Sequence, residues 1–287
     1  MRIVDGHCHV GRVEEHYDEQ FLKEMSVLVD HDSEDLNFNI DHFLGRMDYG
    51  GVEKAIILAE DFERTLKVKV PNEYIASLVR DHPDRFIGFA SVDPILGKEA
   101  VEGLEMAIKD LGLRGLKLGP TYQSFSPDDE SAYPVYEKVV ELDIPILIHQ
   151  SWTPVVKAPM KYQHPYLLDD VGINFPELKM VVAHFGWPYT DECICLVAKH
   201  RNFHIDFSFW DLFPLETLYE ALMKAKNLVG FDRIMWGTDF PLTDPGDFAL
   251  KFLKINEVAE KVGGEPLSDE EIENIMGMNY LRLLGLE

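Results

Sequence analysis

The chain has 287 residues, a length that fits either two ordinary domains or one large α/β domain. Hydrophobic residues make up 46% of it and aromatic residues 11%, which is enough for a sizeable core. Lys and Arg number 27 against 51 Asp and Glu, and the net charge of −24 argues against nucleic-acid binding, because phosphate binding needs a basic surface.

The cysteines and the apolar runs indicate the cellular compartment of the protein. Cys8, Cys193 and Cys195 form no plausible disulfide framework, because the last two are too close in sequence for an ordinary bridge. The first ten residues lack the apolar segment of a secretory signal, and no apolar run approaches the roughly 18 residues of a membrane span. We therefore expect a cytoplasmic protein with no membrane partner.

Eight short apolar runs, separated by amphipathic segments, organise the chain. The runs predict strands at residues 2–9, 53–59, 85–94, 112–120, 144–149, 178–184, 202–209 and 232–241. Helical spacing of apolar residues predicts helices at 71–83, 131–143, 214–226 and 268–285. The last of these helices begins with Ser268 and Glu271 in the register of a capping box.

Near-continuous apolar strands that alternate with helices predict a parallel sheet covered on its outer face. Eight such units favour a closed (β/α)8 TIM barrel over an open doubly wound sheet, with a closing C-terminal helix. No linker or low-complexity segment interrupts the pattern, so we expect one domain over 1–287. Residues 12–40 form an acidic insertion after strand one, interpreted either as a lid or substrate wall or as a solvated loop.

Potential metal ligands stand on the first strand. Because strand side chains alternate, Asp5, His7 and His9 share one face, and Cys8 points to the other. In a barrel the first face points inward, and the two imidazoles suit Zn²⁺, Fe²⁺ or Co²⁺. An isolated His-x-His pair is a weak signal on its own.

The same arrangement recurs on later strands. "PILIH" and "VVAH" end in His149 and His184, and the run "IMWGTD" ends in Asp239. Strand ends meet at the mouth of a barrel, where such enzymes keep their catalytic groups. Burying several titratable groups together without a cation or charge partner would be costly, so the set predicts a metal site.

These residues resemble the amidohydrolase superfamily. The segments "FIGFASVDP", "GLRGLKLGPTYQSFSPDD", "YPVYEKVVELDIPILIH", "KMVVAHFG" and "IMWGTDFP" are similar to its amidohydrolase-related branch. That branch includes aminocarboxymuconate-semialdehyde decarboxylase, resorcylate-type decarboxylases and predicted metal-dependent hydrolases. The similarity runs from residue 3 to the C-terminal helix, apart from the 12–40 insertion.

The resemblance implies a ligand set for one divalent ion, zinc or alternatively manganese: His7, His9, His149 and Asp239. It also implies that His184 is a catalytic histidine beside a metal-bound water, and that Asp239 takes part in proton transfer. A divalent ion lowers the pKa of such a water to about 7, which would supply the nucleophile.

Lys117 lies in the segment "GLKLGP". Some superfamily members carry a carboxylated lysine here that bridges two metals, but the similar branch keeps a lysine without that role. Related chains have histidine where this one has Gly119. We therefore expect a mononuclear site, with Lys117 as a substrate-binding or buried ion-pair lysine, and Asp5 as a partner of the ligands.

Aromatic residues follow four consecutive strands on the predicted rim: Tyr122, Trp152, Trp187 and Trp210. They are interpreted as walls of an apolar or aromatic substrate pocket, or else as core or subunit-interface residues. Six further histidines are interpreted as structural or surface residues: His16, His31, His42, His82, His200 and His204.

Three functions use this site. The main expectation is a hydrolase that attacks a small amide, ester or lactone with a metal-activated water. The alternative is a non-oxidative decarboxylase of an aromatic or unsaturated carboxylic acid at the same metal, and the remote one is a non-catalytic metal-stabilised barrel. The core residues do not separate the first two, and family analogy is poor support for a reaction. We also expect the protein to act on a small-molecule substrate and to form a homodimer.

Overall fold

The computed structural model describes residues 1–29 and 36–287. Part of the 12–40 insertion, and with it His31, lies outside the described residues. The strands are β1 Val4–His9, β2 Lys54–Leu58, β3 Glu60–Phe62, β4 Val68–Val70, β5 Phe86–Ser91, β6 Leu116–Leu118, β7 Ile146–Ile148, β8 Met180–Val182, β9 Phe203–Asp206 and β10 Ile234–Met235.

The first seven helices are α1 Val13–His16, α2 Glu19–Met25, α3 Ile40–Gly50, α4 Glu63–Leu66, α5 Asn72–Asp81, α6 Lys98–Lys109 and α7 Pro120–Gln123. The others are α8 Tyr133–Glu141, α9 Asp169–Asn174, α10 Thr190–Lys199, α11 Leu215–Leu228, α12 Pro245–Phe252, α13 Ile255–Val262, α14 Asp269–Glu273 and α15 Asn279–Leu283. No helix of the described ranges combines the length and the apolar character needed to span a bilayer.

Eight parallel strands build the barrel in the order β1-β2-β5-β6-β7-β8-β9-β10. The predicted TIM barrel is confirmed, and each of these strands lies inside one of the eight predicted runs. The sequence analysis gave no strands for the antiparallel hairpin of β3 and β4, which follows β2 at the rim. The predicted helix at 268–285 is also divided, because a π-helical turn at Asn274–Met278 separates α14 from α15. The capping box of Ser268 and Glu271 is confirmed.

Backbone hydrogen bonds between β1 and the segment after β10 close the barrel. His9 N–H donates to the carbonyl of Phe240 at 2.7 Å, and Asp239 N–H donates to that of His7 at 2.8 Å. The buried Asp5 carboxylate supports this seam by accepting from the Thr238 N–H at 2.9 Å and its hydroxyl at 2.6 Å. Asp5 therefore braces the backbone that carries two predicted ligands, and it reaches His7 only at the backbone N–H, 3.3 Å away.

Two apolar clusters form the core, one inside the barrel and one around it. Its interior holds a compact cluster that includes Val4, Ile56, Phe89 and Met235, and a larger cluster lies between the strands and the surrounding helices. Both faces of the strands are therefore buried, which explains their near-continuous apolar sequences. Tyr280 of α15 belongs to the interior cluster. The C-terminal helix thus closes the end of the barrel opposite the carboxyl ends of the strands.

Gly277 in the π-helical turn permits this closure. A Cβ at Gly277 would overlap the carbonyl oxygen of Arg2, which is backbone and cannot turn aside. We predict that Gly277→Ala lowers the free energy of unfolding by about 1–3 kcal/mol, the usual cost of overpacking. Urea denaturation followed by circular dichroism measures it.

Gly45 of α3 is the matched control, because a Cβ there has no neighbour within 4 Å. Gly45→Ala should leave stability unchanged or raise it by up to about 1 kcal/mol, since alanine favours helix. Equal effects of the two substitutions would contradict the proposed close approach of Gly277 to Arg2.

Candidate metal centre and active site

The polar residues at the strand ends meet at one mouth of the barrel. They are His7 and His9 on β1, Lys117 on β6, His149 after β7, His184 after β8, Asp206 on β9 and Asp239 after β10. All except His9 are more than nine-tenths buried. The carboxyl ends of parallel strands necessarily share one rim, which is why distant sequence positions become neighbours.

Three of the predicted ligands converge on one point. Asp239 Oδ1 lies 3.3 Å from His7 Nε2 and 3.1 Å from His9 Nε2. Ligand atoms of the three residues all lie within 4.8 Å of one another. Burial acts to raise the pKa of the Asp239 carboxyl, but the imidazoles of His7, His184 and His9 together lower it well below its usual range. Asp239 is therefore a carboxylate here.

A second carboxylate stands behind each of these imidazoles. His7 Nδ1 lies 3.0 Å from Asp206 Oδ2, and His9 Nδ1 lies 3.1 Å from Glu60 Oε1. A carboxylate on one ring nitrogen keeps the proton there and leaves the lone pair on the other. Both Nε2 atoms then face the Asp239 carboxylate. Burial acts to lower the pKa of His9, but the flanking carboxylates of Glu60 and Asp239 outweigh it and raise this pKa to about 9.

Such a donor set fits a cation. Three lone-pair donors about 3 Å apart repel one another unless a cation or a proton lies among them. Metal–ligand bonds of about 2.0–2.2 Å place neighbouring ligand atoms at roughly this separation. The residues present therefore suit a divalent ion bound by imidazole and carboxylate.

His149 is oriented by a backbone carbonyl. Its Nε2 lies 3.0 Å from the Ser151 carbonyl oxygen, so it donates there and leaves the Nδ1 lone pair facing inward. Nδ1 lies 3.0 Å from His184 Nε2, so His149 pairs with His184 in this structure. Burial is the main cause that lowers the pKa of both imidazoles, which are neutral.

Asp206 and Ser208 hold His184 and His7. Asp206 Oδ1 accepts from the backbone N–H of His184 at 3.1 Å and from the Ser208 hydroxyl at 2.5 Å. Ser208 Oγ lies 2.8 Å from His184 Nδ1 and 3.0 Å from His7 Nδ1. The sequence analysis gave these two residues no role, although Asp206 ends its strand with a carboxylate as Asp239 does.

The two chain segments that carry His184 and Asp239 are unusual in their backbone. His184 has φ 63° and Asp239 φ 66°, in the left-handed region that non-glycine residues rarely adopt. Such conformations cost about 1–3 kcal/mol each and persist where the surroundings fix them. Here the surroundings include the Asp206 carboxylate at His184 and the His7 carbonyl at Asp239.

Lys117 reaches the same centre from β6. Its Nζ lies 2.8 Å from His7 Nε2, the side chain is buried, and this burial lowers the pKa of the ammonium group. Within residues 1–29 and 36–287, no carboxylate oxygen lies within 4.0 Å of Nζ. Lys117 therefore has a donor directed into the pocket without an ion-pair partner in this part of the chain.

Two adjoining lobes form the pocket above these residues. The first lobe contains His9, Glu60 and Lys117, and its apolar walls are Tyr17, Phe21, Met25, Leu36, Phe38, Phe62 and Tyr122. The second lobe lies over His184 and shares Tyr122, His149 and Asp239 with the first. Five of the wall residues belong to the 12–40 insertion, so its described part forms one side of the pocket.

The predicted rim aromatics occupy different places. Tyr122 stacks on Phe62, with ring centroids 5.1 Å apart, and lines both lobes, whereas Trp152 lines the second. Neither Trp187 nor Trp210 lines the two lobes that the described residues form. The Trp210 indole N–H instead donates to the His184 carbonyl at 2.9 Å, and Trp187 packs against Trp152.

A TIM barrel with cation-binding donors at its strand ends defines a metal-dependent barrel enzyme. Residues 4–286 match the family described as Amidohydrolase, and the chain belongs to that family. The resemblance seen in the sequence is thereby confirmed.

Two curated relatives are decarboxylases. The chain is 28% identical to the 2-amino-3-carboxymuconate-6-semialdehyde decarboxylase of Dictyostelium discoideum over 75% of its own length and 66% of that protein, slightly less than two thirds. It is 25% identical to the gamma-resorcylate decarboxylase of Polaromonas sp. strain JS666 over 75% of its own length and 80% of that protein.

Solved structures share the fold. An uncharacterized TIM-barrel protein from Bordetella bronchiseptica superposes with a TM-score of 0.82 at 21% identity, over 100% of this chain and 99% of that one. A dihydroxybenzoic acid decarboxylase from Polaromonas sp. JS666, solved with manganese and the inhibitor 2-nitroresorcinol, gives 0.66 at 20% identity over 99% and 97%. At these identities the likeness concerns the fold alone.

The ligand set is testable by metal content. We predict that Asp239→Ala and His149→Ala lose most of the roughly one equivalent of zinc or manganese held by reconstituted wild type, because each removes a donor. Elemental analysis after desalting measures the bound metal, and the exposed His42→Ala is the control. A full equivalent in either variant would contradict its assignment, and two equivalents with a carboxylated Lys117 in wild type would contradict a mononuclear site.

Asp206→Asn tests the support behind His7 and His184. We predict about 10–100-fold weaker metal affinity, because the residue that fixes the ligand ring loses its charge. Competition with a chromophoric chelator measures the dissociation constant. The exposed Asp232→Asn should leave it unchanged, and equal affinities for both variants would contradict the role of Asp206.

Proposed function

We propose that this protein is a metal-dependent carboxy-lyase that decarboxylates a small aromatic or unsaturated carboxylic acid. The observation that carries the proposal is Lys117, a buried cation beside the His7 ligand at the base of an aromatic-walled pocket. An acid bound there would have its carboxylate paired with the ammonium group and its ring held between Phe62, Tyr122 and the insertion. A neutral lactone or amide has no comparable need for a buried cation.

The relatives support the same choice. The two curated relatives named above are decarboxylases, and their substrates are small carboxylic acids. The comparisons therefore favour the alternative expectation from the sequence over the main one, hydrolysis. Hydrolysis stays the second candidate, because the same donor set could activate a water. Family membership argues against the non-catalytic barrel.

The metal would be held by His7 Nε2, His9 Nε2, His149 Nδ1 and Asp239, and it would act as a Lewis acid on a substrate oxygen. Zinc suits imidazole and carboxylate ligands. Manganese is the ion in the related Polaromonas structure, so both belong in the first tests.

The protein's own side chains carry the remaining tasks. Lys117 binds and orients the leaving carboxylate, and the apolar walls exclude water, which strengthens that contact. The bond between the carbon and its carboxylate breaks, CO2 leaves, and the electron pair that stays on the carbon takes a proton. His184 and Asp239 both line the second lobe and are the groups placed to hold or move that proton.

Release of CO2 tests the proposal. The metal-loaded enzyme is incubated with ortho-hydroxybenzoates, including 2,6-dihydroxybenzoate, and with unsaturated dicarboxylic semialdehydes. We predict CO2 release, and in D2O the incorporation of one deuterium at the carbon that lost it. Turnover of lactones or amides without CO2 from any acid would instead establish hydrolysis.

The substitution Lys117→Met is a second test that separates decarboxylation from hydrolysis. It keeps the length of the side chain and removes the charge, so the KM of an acid substrate should rise about tenfold or more, as expected for a hydrogen bond to a charged group. The exposed Lys109→Met is the control. An unchanged KM for the acid would remove Lys117 from its recognition.

Two further expectations, the cytoplasmic location and the homodimer, stay predictions. Gel filtration with light scattering measures the oligomeric state.

A further inference from the structure

Two buried polar atoms without a hydrogen bond of good geometry meet in the first lobe. They are the Tyr17 hydroxyl and Glu60 Oε2, two of the eight such side-chain atoms found within residues 1–29 and 36–287. A third, His9 Nδ1, already has Glu60 Oε1 at 3.1 Å. Buried polar atoms in native proteins are nearly always paired, so a cluster of unpaired ones calls for an explanation. We call this cluster the polar notch.

The polar notch lies in the wall of the pocket. Tyr17 and Glu60 both line the first lobe with Lys117 and Tyr122, and Glu60 is 4% exposed. Burial, and then the charge and hydrogen bonding of the neighbouring Glu60 carboxylate, raise the pKa of the Tyr17 hydroxyl, so Tyr17 keeps its proton and faces Glu60. The remaining surface of the lobe is predominantly aromatic and aliphatic, so the notch is a polar spot in an apolar wall.

Packing fixes the position of the Tyr17 side chain. A Cβ on Gly11 would lie 2.5 Å from a ring carbon of Tyr17 and 3.0 Å from its hydroxyl, so only glycine lets the ring rest on the chain that leaves β1. Phe38 also packs against the ring, with ring centroids 4.6 Å apart. The hydroxyl is therefore fixed beside Glu60.

The hydrogen-bonding groups of the polar notch determine which substituent it can bind. An ionised carboxylate only accepts hydrogen bonds, whereas a tyrosine hydroxyl both donates and accepts. A group that donates to Glu60 Oε2 and accepts from Tyr17 satisfies both at once. A hydroxyl or amino substituent does so, and a methoxy group, a halogen or a second carboxylate does not.

We propose that Tyr17 and Glu60 form a specificity subsite that receives a hydroxyl or amino substituent of the carboxylic acid whose carboxylate is bound at Lys117. The inference rests on the proposed function for the placement of the acid and adds the substituent that the acid must carry. It also assigns a role to Tyr17, which belongs to the 12–40 insertion, and to Glu60, which the sequence analysis passed over.

Two simpler readings compete with this one. In the first, Glu60 only orients the ligand His9, whose Nδ1 lies 3.1 Å from Oε1. In the second, an ordered water fills the polar notch in every bound state. Both are separated from the proposal by comparing ligands that differ only in the donor hydrogen.

Calorimetric binding to the manganese-loaded protein makes that comparison. The probes are 2-, 3- and 4-nitrophenol against the matching nitroanisoles, under mildly acidic conditions that keep the phenols protonated. They contain neither a carboxylate to lose nor a bond to hydrolyse, so the outcome is independent of the CO2 assay. We expect at least one phenol to bind about tenfold tighter than its methyl ether, as a hydrogen bond to a charged group allows.

The variants are Tyr17→Phe and Glu60→Gln, which keep shape, and Gly11→Ala, which displaces the Tyr17 ring. Each should reduce the preference for the phenol toward unity while nitroanisole binding stays at the wild-type level. Manganese content should stay at the wild-type level in Tyr17→Phe and Gly11→Ala, and Glu60→Gln is compared at saturating manganese because Glu60 also stands behind the His9 ligand. The exposed Tyr49→Phe and Glu63→Gln are the matched controls.

Three results would overturn the subsite. The first is equal loss of both probes together with manganese in Glu60→Gln, which would reduce Glu60 to a support for His9. The second is no preference for any phenol in wild type, which would leave the notch to water. The third is failure of wild type to bind any probe. By contrast, absence of CO2 release with the binding preference intact would overturn the carboxy-lyase assignment alone.

Discussion

The hydrogen bonds that join the first strand to the segment after the last one determine the active site. His7 and Asp239 are separated by most of the chain, yet the Asp239 N–H donates to the His7 carbonyl at 2.8 Å. This bond fixes the backbone of a ligand on each side of the seam, and the Asp5 carboxylate behind it holds Thr238 next to Asp239. A barrel left open at this seam would lose the approach of Asp239 to His7 and His9, on which the candidate metal centre depends.

Groups that suit a cation and a group that suits an anion lie side by side around the centre. Imidazole nitrogens face inward, and Asp206 and Glu60 stand behind two of the rings, those of His7 and His9. Lys117 adds a positive group to a site that already attracts a cation, and burial weakens its hold on the proton. Such a combination is costly in an empty barrel. A bound metal and an anionic substrate, as proposed here, would make the combination favourable.

The sequence was sufficient for the barrel and for the polar residues that meet at its mouth, and insufficient for what surrounds them. Every barrel strand lies inside a predicted run, because strands buried on both faces are nearly continuous apolar segments. His7, His9 and Asp239 could be found because the strand period and the shared rim fix their direction. Glu60 and Ser208 could not, because their roles depend on contacts between different strands. Trp187 and Trp210 follow strand ends as Trp152 does, yet packing turns them away from the two lobes.

The close contact of Tyr17 with Gly11 has an evolutionary consequence. The metal centre is built from strand ends that the whole barrel must hold in register, and changes there endanger the fold. The wall that carries Tyr17 and Phe21 is a single excursion of the chain, attached to the barrel just after the His-x-His pair. In the proposed function, a change in this one segment would therefore alter the pocket wall and leave the strand ends unchanged. In protein engineering, the same separation makes the 12–40 segment a natural unit for loop grafting between members of this family.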